Sequence, residues 1–148
     1  MIEDAACALG TEVPYLGRME KAGTIGDIGC FSLHASKGIT TGEGGLVCTD
    51  NEDYANRIRR LAVFGDERAY RRSKTKAPFY FDPAANNFKM SDITAAIGLT
   101  QLQKIDMLID WRIKIAMEWD EIIANDTYLN DVIRIKPKIV KDHTNIYQ

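Results

Sequence analysis

The strongest constraint in this chain is the segment at residues 27–49, DIGCFSLHASKGITTGEGGLVCT. Its opening run, DIGCFSL, is apolar on both alternating faces, the pattern of a strand covered on both sides in a mixed or parallel sheet. A second run of the same kind occupies residues 45–49. Between them lies SKGITTGEGG, whose glycines at positions 38, 42, 44 and 45 permit tight turns and close approach of backbone to a ligand. Two apolar strands that close a glycine-rich turn around one lysine, Lys37, specify an α/β fold with a candidate site at the strand ends.

The flanking sequence fits that frame. Residues 1–4 read as a short strand passing into a turn of small residues, Ala5, Ala6 and Ala8, and residues 10–26 read as a loop. Asp50 or Asn51 is suited to cap a helix with Glu52 and Asp53 in its first turn and Arg57, Arg59 and Arg60 towards its end, as the helix dipole favours. Tyr54, Ile58 and Leu61 are expected on its buried face. Residues 65–77 hold Arg68, Arg71, Arg72, Lys74 and Lys76 with little apolar content and read as an exposed loop. Ser91 is placed to start a helix whose apolar face carries Ile93, Ala96, Ile97, Leu99 and Leu102. That pattern continues through Leu108, Ile109, Ile113, Ala116 and Trp119, so one long or kinked helix is expected to reach about Ala124, and a fresh strand is expected over residues 132–140.

Composition narrows the function classes. The 148 residues are 45% hydrophobic and 27% charged, near the average for globular proteins, and they suffice for one domain with a sizeable core. A net charge of -2 argues against broad nucleic-acid binding, which uses a basic surface. No run approaches the roughly 20 apolar residues of a membrane span. Cys7, Cys30 and Cys48 are well separated and form no CxxC pair, so neither a disulfide framework nor a zinc site is indicated and no metal is expected. The acidic opening MIEDAACALG is unlike a secretory leader, and a cytoplasmic location is the expectation.

Lys37 follows Ser32 by five residues, just past an apolar strand and just before the glycine turn. An amine in that position suits Schiff-base chemistry with an aldehyde cofactor, because partial burial beside a cationic ring frees it of its proton. The bland alternative is an ordinary solvated lysine. Asp4 ends the first strand, where a carboxylate can face a cation such as a pyridinium nitrogen and keep the ring an electron sink; the alternative is a helix N-cap. Ser32 can bond a phosphate or be a satisfied core hydroxyl.

Three blocks in order, IEDAACALG, GDIGCFSLHASKGITTGEGGLVCTD and NNFKMSDITAAIGLTQL, resemble the DegT/DnrJ/EryC1/StrS family, nucleotide-sugar aminotransferases of the fold-type-I pyridoxal 5'-phosphate (PLP) class. The resemblance runs from Ile2 to roughly Asp110, and the tail through Tyr147 is similar to the opening of the family's small domain. It implies that residues 1–110 are part of a PLP-binding large domain, a mixed, mostly parallel sheet with flanking helices. Residues 111–148 would be a linking helix and the start of a small α+β domain. By the same resemblance Lys37 carries the cofactor and shuttles protons, Asp4 partners the pyridinium, and Ser32 bonds the cofactor phosphate. Asn87 would reach the phosphate of a cofactor bound mainly by a neighbouring subunit, which implies a homodimer. Cys7 stands near the cofactor ring, where many relatives have glutamine or histidine.

The implied activity is transfer of an amino group, from glutamate or glutamine, to a keto group of a nucleotide-linked sugar in amino-sugar biosynthesis. The alternatives are sugar dehydration, whose enzymes on this fold lack the cofactor lysine, and a non-catalytic remnant. His34, beside a lysine that already fills the acid–base role, is expected at a structural or substrate-edge position. The arginines of 68–72 suit a solvated loop better than a substrate diphosphate. Complete relatives are far longer and include a phosphate-binding turn and most of a small domain with no counterpart here. The chain is therefore expected to be an internal piece that folds poorly and does not turn over alone.

Overall fold

The computed structural model describes residues 1–66 and 84–133. Among these the strands are β1 (Ile2–Asp4), β2 (Glu12–Tyr15), β3 (Arg18–Lys21), β4 (Ile28–Ser32) and β5 (Gly45–Cys48). The helices are α1 (Glu52–Leu61), α2 (Asp92–Leu102), α3 (Ile105–Asn125) and α4 (Thr127–Val132). β1, β4 and β5 form one sheet in that order. β1 runs parallel to β4 with Ile2 opposite Ile28 and Asp4 opposite Cys30, and β5 returns antiparallel with Ser32 opposite Gly45. The sheet is mixed, as the sequence pattern implied.

β4 is the central strand because its sequence tolerates contact on both sides. Phe31 is buried with Ala5, Leu33 and Ile39, while Ile28, Cys30 and Ser32 on the opposite face are half-buried. Gly29 lets the chain cross over itself: a Cβ there would lie 1.8 Å from the carbonyl oxygen of Gly23. Gly23 in turn has φ +86° and lies against the Phe31 ring. The second apolar run differs from expectation. β5 is an edge strand exposed at each of its four positions, since alternation records which residues are apolar but not whether a layer lies over them.

The expected loop at residues 10–26 contains an antiparallel hairpin instead, with Glu12 opposite Lys21 and Tyr15 opposite Arg18. Leu16 and Gly17 connect the strands with φ of 49° and 82°, the left-handed pair that a two-residue hairpin turn requires. Leucine gives no turn signal of the Asn-Gly kind, so the hairpin is hidden in the sequence. Lys21 Nζ pairs with Glu12 Oε1 at 2.7 Å across the strands.

The hairpin returns to the sheet through a carboxylate. Glu3, inside β1, accepts the backbone N–H of Gly23 at 2.8 Å, Ile25 at 2.7 Å and Gly26 at 2.5 Å. Desolvation pushes its carboxyl pKa up, but the three N–H bonds outweigh it and hold the group below its ordinary value of 4.5.

Helix signals were mostly legible. Asn51 caps α1 by accepting from Tyr54 N at 3.1 Å, with Glu52 and Asp53 in the first turn and Arg59 and Arg60, but not Arg57, in the last. Its expected buried face is only partly covered: Tyr54 is 43% exposed, and Ile58 and Leu61 are half-buried. Ser91 caps α2 through Thr94 N at 3.2 Å. The single long helix is two, because α2 ends at Leu102 and α3 begins at Ile105. α3 then runs unbroken past residues 110 and 111. On α2, Ile93 and Leu99 are 77% and 66% exposed, so much of its apolar face is open among the described residues. The strand expected from residue 132 does not begin there, since Val132 closes α4 and Ile133 caps it; residues 134–140 of that expectation, and nearly all of the basic loop at 65–77, lie outside the described residues.

Two outcomes follow from this packing. Gly29→Ala drives a methyl into backbone and should cost about 3 kcal/mol in urea unfolding, against about 1 kcal/mol for the cap variant Asn51→Ala. Glu3→Gln should destabilise the chain at neutral pH. Since the folded pKa of Glu3 lies below its unfolded value, its stabilisation is present above the ordinary carboxylate range and is lost as pH falls through the depressed value. The gap between wild type and Glu3→Gln in urea midpoint should therefore close on acidification.

Candidate active site

Parallel pairing puts the carboxyl ends of β1 and β4 on one edge, where ligands of open α/β sheets bind. Asp4 is the last residue of β1 and Ser32 the last of β4. Asp4 is exposed, and its Oδ1 accepts from Ala6 N at 3.1 Å. The cap role is thus real, but it serves a turn rather than a helix. Ala5 N donates to Cys30 O at 2.9 Å and Ala8 N to Ala5 O at 3.0 Å, and this turn delivers exposed Cys7 to the same edge.

The chain beyond Ser32 is a frame for one amine. Leu33 is buried; its N–H donates to Gly44 O at 2.9 Å, and its carbonyl accepts from Thr41 N at 3.0 Å and Thr40 Oγ1 at 3.1 Å. Thr41, also buried, donates from Oγ1 to Glu43 O at 2.7 Å. Gly42 and Gly44 have φ of 84° and 142°, so the turn needs its glycines at these two places. Lys37 sits on this frame half-buried, its N–H donating to His34 O at 3.0 Å. Its Nζ donates to Cys7 Sγ at 2.8 Å.

Ser32 Oγ accepts from His34 N at 3.3 Å. His34 Nδ1 accepts from Ser36 N at 3.2 Å and meets Ser36 Oγ at 2.9 Å, while Nε2 faces Glu43 Oε1 at 3.7 Å. The imidazole thus braces its own loop. The structure therefore gathers Asp4, Cys7, Ser32 and Lys37 at one sheet edge. Asn87 is exposed: its N–H donates to Asn86 Oδ1 at 2.8 Å and it bridges to Val63. The arginines at 68, 71 and 72 lie outside the described residues. Among the described residues no cluster of His, Cys, Asp and Glu could hold a metal, and no helix is long and apolar enough to cross a membrane.

Two residues escaped the sequence reading. Glu3 was hidden as an acid within a three-residue strand. Arg112, on α3, lies three and four residues from Ile109 and Leu108 and so falls within the apolar stripe, the one signal that could have singled it out. Next to the Lys37 loop, α2 packs Gly98 on Thr41, where a Cβ would meet the threonine methyl at 3.0 Å. Leu33, Ile39, Leu46, Met90, Leu99 and Leu102 help line an apolar cavity of about 260 Å³ between helix and turn.

A mixed sheet flanked by helices is the fold of the fold-type-I PLP-dependent class, as the solved structures show. The aminotransferase TlmJ from Streptoalloteichus hindustanus superposes with a TM-score of 0.77 at 30% identity, over 99% of this chain and 36% of that one. The family model for the DegT/DnrJ/EryC1/StrS aminotransferase family matches residues 1–144, and the chain belongs to that family. An uncharacterized protein of Methanocaldococcus jannaschii is 44% identical over 84% of this chain and 32% of its own length. A GDP-perosamine synthase of Caulobacter vibrioides is 36% identical over 84% of this chain and 30% of its own. The chain spans about a third of the length of the curated relatives it matches.

All three cysteines are free thiols, with Cys7 and Cys48 exposed and Cys30 less so, within the central strand. Iodoacetamide should alkylate Cys7 and Cys48 about tenfold faster than Cys30 in the folded chain; equal rates under native conditions, read by peptide mass mapping, would contradict this packing.

Proposed function

We propose that this chain supplies the cofactor lysine, Lys37, of a PLP-dependent aminotransferase that acts on a keto nucleotide-sugar, with glutamate or glutamine as amino donor. The observation that carries this reading is the placement of the Lys37 amine on the same sheet edge as Asp4, Cys7 and Ser32. The residues present fit the group. Asp4 spends one oxygen on Ala6 and remains exposed, so its carboxylate is open to a pyridinium. Among the described residues the Lys37 amine donates to a neighbouring thiol. When bound, PLP supplies an aldehyde for an amine and a ring that takes up electrons.

In this reading Lys37 Nζ takes up the aldehyde and later moves the substrate's proton. Asp4 keeps the ring nitrogen protonated, and Ser32 Oγ donates to the cofactor phosphate. Cys7 lies beside the ring. Asn87 serves the phosphate of a cofactor held mainly by a neighbouring subunit, which implies a homodimer. Residues 1–110 belong to the cofactor-binding domain, and 111–148 lead into a smaller one, in a cytoplasmic enzyme of amino-sugar biosynthesis. The synthase activity of the Caulobacter relative supports a nucleotide-sugar substrate, and the presence of Lys37 favours amino transfer over dehydration.

The test is the absorbance of the purified chain with PLP before and after borohydride, beside Lys37→Ala. A reduced adduct that maps to Lys37 and disappears in Lys37→Ala is the expected result. Labelling spread evenly over the lysines, unchanged in the variant, would overturn the assignment.

A further inference from the structure

The geometry points to Arg112 as a positioning residue for Lys37, a role that rests on the reading of Lys37 as the cofactor lysine. Arg112 lies on α3, 75 residues along the chain, and its Nη2 points to the Lys37 carbonyl oxygen at 3.5 Å. Its Nη1 is buried without a hydrogen-bond partner. A Cβ at Gly38 would lie 3.4 Å from that same atom, so the guanidinium lies in contact range of the peptide that follows Lys37.

A buried guanidinium donor without a partner calls for a reason, because such groups are normally satisfied. Here the reason is orientation. The Lys37 N–H is tied to His34 O at 3.0 Å, and Arg112 meets the carbonyl on the other side of the same Cα. With its backbone held on both sides, Lys37 has a fixed root, and its side chain projects towards Cys7. Arg112 touches neither a reacting atom nor the amine itself; it acts through the backbone of Lys37. A planar fork of five N–H donors suits this better than an ammonium would, since a guanidinium can face a carbonyl while its other edge lies flat against the turn.

Two measurements on the full 148-residue chain test this. The first needs no cofactor: limited trypsin digestion reads cleavage of the Lys37–Gly38 bond relative to cleavage after Lys21 in the hairpin. Arg112→Met should raise that ratio about tenfold, and Arg112→Lys should restore part of the protection. The second reads the share of borohydride-trapped PLP on Lys37, which should fall in Arg112→Met and recover in part in Arg112→Lys.

An unchanged cleavage ratio in Arg112→Met overturns the role, as does a rise at Lys21 equal to that at Lys37, which would mean general loosening. Were wild type to trap no PLP on Lys37, the cofactor reading would fail, and the cleavage ratio would still decide whether Arg112 holds the Lys37 backbone.

Discussion

The parallel pairing of β1 with β4 is the constraint on which the rest depends. A parallel pair cannot be closed by a tight turn, so the chain between the strands must leave the sheet and come back. Residues 5–27 do this with a hairpin, and their return is secured where the Glu3 carboxylate collects three backbone N–H groups and where Gly23 and Gly29 meet backbone to backbone. Because both strands then end on one side, the turn after β1 and the loop after β4 are neighbours. That is why a carboxylate at position 4, a thiol at 7, a hydroxyl at 32 and an amine at 37 share one small region.

The loop after β4 shows how a flexible lysine is given direction. Its rigidity comes from inside: Leu33, Ile39 and Thr41 are buried, the threonine hydroxyls satisfy local carbonyls, and two glycines adopt backbone conformations closed to other residues. His34 turns its ring to Ser36 and to Glu43. Helix α3 adds a contact from far along the chain, so the setting of Lys37 depends on residues on both sides of the segment that the structure leaves undescribed.

Legibility differed by kind of signal. Caps were readable because their chemistry is local: Asn51 and Ser91 each bond a backbone N–H three residues on. The two strands of the lysine segment were readable from unbroken apolar runs. The hairpin was not, because its turn uses Leu16 where a polar or glycine residue would announce it. The buried faces expected on α1 and α2 are open in part, since periodicity marks a face as apolar without naming the layer that covers it. Within the site, Lys37, Asp4 and Ser32 stood out only when their motifs were taken together; each alone had an ordinary explanation.

The sequence by itself determined the α/β class, the family and the starts of α1 and α2, and singled out Lys37 as the candidate lysine, since these rest on local backbone preferences and on ordered motifs. Only the tertiary structure decided that Cys7 touches Lys37 and that Glu3 anchors the returning chain. It alone paired Asn87 with Val63 and brought Arg112 to the Lys37 carbonyl. Those facts depend on strand register and on contacts between residues 20 to 75 positions apart, and no local pattern in a chain encodes which distant partner a side chain will meet.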